Sequence, residues 1–292
     1  MTAPFNLRYA AHLGFMSPNP LFLATVGSKD VRAHVEFAAG LGFGGMFHPW
    51  AIAQPAEENQ RFARALSDFG LQCGVLVFAP MDTLLAPLWV QKDDEARQRL
   101  ATHLDQSAAL AGELGASTLV ILLRDDPALG PDAKWQAASD QLRWAADRVG
   151  KANLSIAVEP MIALPDMLLP KFADSVRLLD EVAHPAAKLI FDTGHVEAMT
   201  GDVLSSWREA RHLVGPIQLR DMPGNNEPGT GAIDFVAFLS EMIADGRGGE
   251  LLELEFDWAD PTAEGERAGL ERLRDIDSQV GAQAASSTRG QP

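Results

Sequence analysis

The sequence contains little cysteine and little positive charge. Among its 292 residues Cys73 is the single cysteine, which excludes an intrachain disulfide and a zinc cluster built from cysteines. Lysine and arginine together number 24, against 40 aspartates and glutamates, so the formal net charge is -16. Because an acidic chain repels phosphates at long range, we expect neither nucleic acid nor an anionic membrane as a partner.

Long apolar segments are absent as well. The stretch MTAPFNLRYAAHLGF lacks a basic start followed by a long apolar run, so a secretory leader is not expected. No run approaches the roughly 18 apolar residues of a membrane span. Hydrophobic residues make up 47% and charged residues 22%, the balance of a globular protein with a large core. These features predict a cytoplasmic protein that acts on a small molecule.

The sequence alternates between short apolar runs and longer amphipathic runs. The apolar runs have strand length and lie at 7–15, 42–50, 71–80, 116–123, 154–160, 187–195, 215–224 and 250–258. Helical segments follow them at 30–41, 55–69, 93–114, 131–149, 171–182, 202–213, 234–244 and 264–283. Successive strands lie about 35 residues apart, which is the size of one βα unit. Eight such units favour a single (β/α)8 TIM barrel over an open doubly wound sheet.

The barrel is expected to form one domain over residues 1–283, because no linker-like segment divides the chain. The remaining stretch, AASSTRGQP at 284–292, has low complexity, and we expect it to be a disordered tail.

Polar side chains stand where the last four strands should end. Glu159 closes the fifth run and Asp192 lies in the sixth. Gln218 lies in the seventh run, and Glu253 and Glu255 lie in the eighth. The carboxyl ends of barrel strands form one face, so these groups can converge there. One buried carboxylate would indicate a salt bridge or a cap, whereas several on successive strands predict an oxygen-rich site suited to Mg²⁺ or Mn²⁺.

Four segments carry a family resemblance: VEP, FDTGH, IQLRDMPGNNEPGTGAIDF and ELEFDW, in this order. Together they resemble the xylose isomerase-like TIM-barrel superfamily of sugar-phosphate isomerases and epimerases. Within it, the sequence is most similar to the hydroxypyruvate isomerase-like proteins. The resemblance covers essentially the whole barrel, and PGNNEPGTGAIDF is its most distinctive piece.

The resemblance implies one divalent cation, Mn²⁺ or Mg²⁺, held by side chains on strands five to eight. Carried over by position, the ligands are Glu159, Asp192, Gln218 and Glu255. Glu253 is a rival for the last position, because both glutamates share one face of the strand. Glu255 is preferred because it lies nearer the carboxyl end of that strand.

Further side chains are expected to face the substrate. His195 matches a family histidine that approaches substrate oxygens. His12 ends the first strand, where it is equally expected as a substrate contact or as a hydrogen-bonded framework residue. His48 and Trp50 end the second strand, where many relatives have an acidic residue.

The loop after the seventh strand departs from the family pattern. Asn225 stands where relatives often have an arginine that contacts a carboxylate or a phosphate. Glu227 follows in the EPG segment, and both residues are expected to face the substrate. The missing arginine predicts a neutral keto-sugar, or a glycoside of one, over hydroxypyruvate or a sugar phosphate. Arg124 or Arg220 could replace it from another loop.

These residues predict a metal-dependent isomerase or epimerase acting on a hydroxy-carbonyl compound. The cation would stabilise the enediolate, while Glu159 and Glu255 remove and return a proton from opposite sides. A lyase or dehydratase could use the same base and metal for β-elimination, and a non-catalytic binding barrel is a third alternative. Relatives are often dimers or tetramers, so the resemblance leaves a homo-oligomer open.

Overall fold

Parallel strands form the centre of the molecule. The computed structural model describes residues 4–15, 17–162, 164 and 166–289. The strands are β1 (Arg8–His12), β2 (Gly45–Phe47), β3 (Gln72–Cys73), β4 (Leu76–Val77), β5 (Thr118–Ile121), β6 (Ser155–Val158), β7 (Ala187–Asp192), β8 (Val214–Leu219) and β9 (Leu251–Leu254). They form one sheet in the order β3-β2-β1-β9-β8-β7-β6-β5-β4.

The two ends of this sheet meet within one strand. β3 pairs with β2, and β4 pairs with β5, so both are halves of the third barrel strand. Gly74 N donates to Met46 O at 2.9 Å on one side, and Phe78 N donates to Val120 O at 3.1 Å on the other. The prediction of a single (β/α)8 TIM barrel is confirmed.

Helices surround the strands. They are α1 (Leu23–Val26), α2 (Val31–Leu41), α3 (Ala56–Phe69), α4 (Met81–Leu84), α5 (Asp94–Leu114), α6 (Pro131–Gly150), α7 (Phe172–Val182), α8 (Thr193–Thr200), α9 (Val203–Ala210), α10 (Phe235–Ala244) and α11 (Ala263–Arg289). Asp30 caps α2 by accepting from Ala33 N, and Gly42 ends that helix in the left-handed conformation. Within the described chain, each of these helices is too short or too polar to cross a membrane.

The sixth barrel strand is shorter than the predicted run 187–195. β7 ends at Asp192, and α8 begins with the next residue. The change of structure occurs here because the Asp192 carboxylate accepts from His195 N at 2.8 Å and so caps the first turn of α8. This turn brings His195 back towards the carboxyl end of the barrel.

The last helix is longer than predicted. α11 continues to Arg289, so residues 284–289 are helical where the sequence predicts a tail. Residues 290–292 of that tail lie outside the described residues. The helix buries Leu273, Ile276 and Val280 in the apolar core. Its Asp277 accepts from Asn6 N at 2.7 Å, which ties the helix to the segment before β1.

Candidate active site

The carboxyl ends of neighbouring strands bring the predicted ligands to one region. Asp192 pairs in register with Gln218, and Gln218 pairs in register with Glu253. Glu159 directly follows β6, and Glu255 directly follows β9. Glu159, Gln218 and Glu255 line a cavity of about 200 Å³, here called the inner cavity.

Glu159, Asp192 and His195 form a compact group at this end of the barrel. One ligating atom from each lies within 4.8 Å of the others, and all three side chains are buried. His195 Nε2 lies 3.8 Å from Glu159 Oε1 and has no hydrogen-bond partner among the described residues. Burial, opposed in part by Asp192, lowers the pKa of His195 to about 4. The ring is therefore neutral at neutral pH, with one nitrogen able to accept a proton or a cation.

Arg220 holds Asp192 from the opposite side. Its Nε lies 2.9 and 2.8 Å from the two Asp192 oxygens, and its Nη2 lies 2.6 Å from Oδ2. Nη2 also lies 3.7 Å from Glu255 Oε1. Burial alone would raise the pKa of Asp192, but Arg220 and His195 together more than offset burial, and the pKa lies below its ordinary value. Asp192 is therefore a paired carboxylate.

Glu159 and Glu255 are buried carboxyl groups that hold protons more tightly than usual. Burial, together with the negative charge of Asp192, raises the pKa of Glu159 to about 7. Burial, together with the charge of Glu159, raises the pKa of Glu255 well above its ordinary value. Two carboxyl groups whose pKa values are raised by burial therefore line one cavity.

Glu253 has a different role from Glu255. Its Oε1 accepts from Val75 N at 2.7 Å, and its Oε2 accepts from Gln218 Nε2 at 3.1 Å. A Cβ at Gly74 would lie 2.3 Å from Glu253 Oε1, so this carboxylate fills the gap between β3 and β4. The contact leaves Gln218 Oε1 without a partner in the described chain. Glu253 thus orients the amide, while Glu255 keeps an unpartnered Oε2.

His12 is held by main-chain groups on both sides of its ring. Its Nε2 contacts Phe256 O at 2.9 Å, and Gly14 N donates to its Nδ1 at 3.0 Å. Burial lowers the pKa of His12 to about 4, so the ring is neutral. Of the two roles that the sequence leaves open, this arrangement is that of a framework residue.

His48 and Trp50 lie at the mouth of the barrel. Trp50 lines the inner cavity, and its Nε1 donates to Phe15 O at 2.9 Å. Both residues also line an adjoining outer cavity of about 660 Å³. The two cavities share Phe15, Trp50 and Met81 in their walls, so they lie side by side.

Comparison with protein families shows which family this chain belongs to. Residues 35–276 match the family described as a xylose isomerase-like TIM barrel. The chain belongs to this family. The resemblance drawn from VEP, FDTGH, the long loop segment and ELEFDW is thereby confirmed.

Individual members of the xylose isomerase-like family are similar at low identity. The human protein named "Putative hydroxypyruvate isomerase" is 24% identical over 248 residues, which cover 82% of this chain and 85% of that protein. Among solved structures, an AP endonuclease of family 2 from Brucella melitensis superposes with a TM-score of 0.75 at 20% identity, covering 89% and 96% of the two chains. A 3-keto-D-glucoside 4-epimerase from E. coli superposes with a TM-score of 0.73 at 17% identity, covering 92% and 99%.

The donor atoms of this xylose isomerase-like barrel fit a divalent cation. His195 Nε2, Gln218 Oε1 and Glu255 Oε2 are buried and unpartnered among the described residues, and Glu159 lies beside them. Carboxylate and amide oxygens with one imidazole nitrogen form a donor set suited to Mn²⁺ or Mg²⁺. Asp192 differs from the other donors, because its oxygens already contact Arg220.

The loop after β8 holds Asn225 and Glu227 away from the cavities. Asn225 is exposed and adopts a left-handed conformation with a φ of 57°. Glu227 is buried, where it accepts from Ala259 N at 2.9 Å and contacts Arg272. In the described chain neither residue lines the inner or the outer cavity. Contact of these two residues with a substrate stays a prediction.

The rest of the inner cavity wall is apolar, a feature that the sequence analysis missed apart from Trp50. These side chains come from the third and fourth barrel strands and from the segments that follow the first to fifth strands: Phe15, Pro49, Val75, Val77, Met81, Leu84, Leu85, Val120, Leu122, Met161 and Leu164. Among the described residues that line this cavity, none is lysine or arginine. The apolar wall could have been predicted from the carboxyl ends of the third and fourth apolar runs, because residues at these positions face the mouth of a barrel.

Proposed function

We propose that the protein is a divalent-metal-dependent isomerase or epimerase that moves a proton on a hydroxy-carbonyl substrate. The observation that carries this proposal is the pair of buried carboxyl groups, Glu159 and Glu255, which line one cavity from opposite strands of the site. Relatives named as a hydroxypyruvate isomerase and a keto-glucoside epimerase support the same reaction class.

The two glutamates divide the proton transfer. Glu159, with a pKa near neutrality, accepts a proton from the carbon beside the substrate carbonyl. Glu255, whose pKa is also raised by burial, returns a proton to the product. Exchange with solvent then restores both groups. His195 Nε2 lies beside Glu159 and accepts a hydrogen bond from a substrate hydroxyl.

A bound cation would assist this transfer. Glu159, Asp192, Gln218 and Glu255 would hold it, and His195 lies within reach of the same position. When bound, a divalent ion supplies Lewis-acid polarisation of a carbonyl oxygen.

The inner cavity favours a neutral ring, whereas the outer cavity is lined by charged side chains of both signs. The inner cavity has room for a compact ring, and its walls offer Trp50 and aliphatic side chains rather than free cations. A sugar ring presents apolar C–H faces to such surfaces. The outer cavity adjoins the inner one at Phe15 and Trp50, and we expect a substituent on the ring to extend towards it. We therefore propose a keto-sugar or a glycoside of one.

The test is a comparison of kcat/KM on hydroxypyruvate with kcat/KM on a panel of free ketoses and keto-glycosides. The proposal expects interconversion of isomers or epimers, with the neutral compounds preferred. A preference for hydroxypyruvate would contradict the substrate class, and release of water or of a β-substituent would contradict the isomerase reaction.

A further inference from the structure

Both oxygens of Asp192 already accept hydrogen bonds, which leaves about one acceptor position for a metal ion. An ionised carboxylate offers about four lone-pair positions. Oδ1 accepts from Arg220 Nε at 2.9 Å and from His195 N at 2.8 Å. Oδ2 accepts from Arg220 Nε at 2.8 Å and from Arg220 Nη2 at 2.6 Å. One Nε–H is shared between the two oxygens, so three N–H groups occupy the carboxylate and the position that remains lies beside the guanidinium.

Arg220 is fixed in this position by the two residues that follow Asp192. Thr193 Oγ1 donates to Arg220 O at 2.8 Å and accepts from Arg220 N at 3.0 Å. At Gly194 a Cβ would lie 2.3 Å from Arg220 Cγ, so only a glycine leaves room for the arginine side chain. The DTGH segment therefore holds the Arg220 side chain against Asp192, and Arg220 is only 5% exposed.

The guanidinium is also a cation placed between two of the predicted ligands. Nη2 lies 2.6 Å from Asp192 Oδ2 and 3.7 Å from Glu255 Oε1. A divalent ion shared by the same carboxylates would stand close to this positive charge in a buried site, where repulsion is weakly screened.

We propose that Arg220 competes with a divalent cation for Asp192, so that the ion contacts Asp192 only after the guanidinium has moved away. The inference rests on the proposed metal-dependent function and adds a residue that sets its metal affinity. Arg220 acts here as a positioning residue, through Asp192.

The first experiment is calorimetric titration of the chelator-treated full chain with Mn²⁺. Arg220→Met keeps the bulk of the side chain and removes its charge, and we expect it to bind Mn²⁺ at least ~100-fold more tightly than the wild type. Arg220→Lys retains the charge as a matched control and should stay within about tenfold of the wild type. Adding Asp192→Asn to Arg220→Met should remove the gain. Binding by Arg220→Met that is no tighter than the wild type would overturn the proposal.

A second experiment needs no variant to fold. The second experiment is a crystal structure of the wild type at saturating Mn²⁺. If an ion contacts Asp192, the Arg220 guanidinium should have moved away from that carboxylate. If the guanidinium is still in place, the ion should not contact Asp192. An ion on Asp192 with all of the Arg220 contacts retained would overturn the proposal. Failure of the isomerase function is a separate result, seen as no turnover on the substrate panel, and both Mn²⁺ experiments can be read without it.

Discussion

Three glutamates of the barrel, Glu159, Glu253 and Glu255, differ in role because they differ in their contacts. Glu253 has partners on both oxygens, Val75 N and Gln218 Nε2, and so acts as part of the framework. Glu255 keeps an unpartnered oxygen, and Glu159 has the imidazole of His195 3.8 Å away. Because a proton carrier needs an oxygen that substrate can reach, Glu159 and Glu255 are suited to that work and Glu253 is not.

The lowered pKa of His12 predicts that the folded protein loses stability in mild acid. Its pKa is lowered to about 4 in the folded protein, against about 6.5 in an unfolded chain. Between these values the unfolded state binds more protons, so stability falls as pH falls from 6.5 towards 4. The wild type should lose about 2 kcal/mol more than His12→Asn between pH 7 and pH 5, because asparagine does not titrate. Urea unfolding of both proteins at the two pH values measures this difference, and equal losses would show that His12 is protonated in the folded state.

In the variant Glu253→Gln we expect the side-chain amide of Gln218 to turn over, so that its oxygen and its NH₂ group exchange places. The new side chain can keep its oxygen on Val75 N, but its NH₂ group then faces the NH₂ group of Gln218. Gln218 must turn over and present a donor to the inner cavity in place of its unpartnered oxygen. We expect Mn²⁺ affinity to fall by about 10- to 100-fold with little change in stability.

The control for this variant is Glu264→Gln, the same chemical change at an exposed position at the start of α11. It should leave Mn²⁺ affinity unaltered. A crystal structure of Glu253→Gln with Gln218 in its original orientation and unchanged affinity would contradict the positioning role.

At the scale of elements, one side chain, the carboxylate of Asp221, defines the conformation of the loop after β8. Asp221 accepts from Met222 N, Gly229 N, Gly231 N and Ile233 N. At Gly231 a Cβ would lie 2.5 Å from Asp221 Oδ1, so glycine is needed for this approach. The segment that carries the strongest family resemblance is therefore conformationally defined around a buried carboxylate, which accounts for its distinctive sequence.

Elements whose geometry depends on residues close together in the chain could be predicted from the sequence. The segment predicted at 30–41 matches α2, which Asp30 and Gly42 bound, because capping depends on the residues beside the helix. Glu159 and Asp192 were identified because a polar group at the end of a buried strand stands out. The role of Arg220 was missed, since its partner Asp192 lies on another strand and spacing along one strand cannot reveal it.

At the scale of the whole molecule, Asp277 joins the last helix to the first strand. Its carboxylate accepts from Asn6 N at 2.7 Å, from Leu7 N at 2.9 Å and from Tyr9 OH at 3.2 Å. β1 in turn pairs with both β2 and β9, so this contact braces the place where the two ends of the described chain meet. The sequence predicts the barrel but not this link, because its partners are some 270 residues apart.

Asp277→Ala should lower the free energy of unfolding by about 3 kcal/mol, because buried main-chain donors lose their acceptor. Asp275→Ala removes an exposed carboxylate from the same helix and should change the stability by less than about 0.5 kcal/mol. Denaturant unfolding of the two variants gives the comparison. Similar values for both would show that the link contributes nothing to the closed barrel.

The central claim is that Glu159 and Glu255 move a carbon-bound proton, and deuterium exchange tests it most directly. Proton NMR in D₂O with Mn²⁺ and the keto-sugar and keto-glycoside panel follows loss of the C–H signal beside the substrate carbonyl. The account predicts exchange by the wild type and a fall of about 10²- to 10⁴-fold for Glu159→Gln, with epimer or isomer formation lost in Glu255→Gln as well. Exchange at the wild-type rate in Glu159→Gln, or conversion of a substrate with no deuterium incorporated, would contradict it.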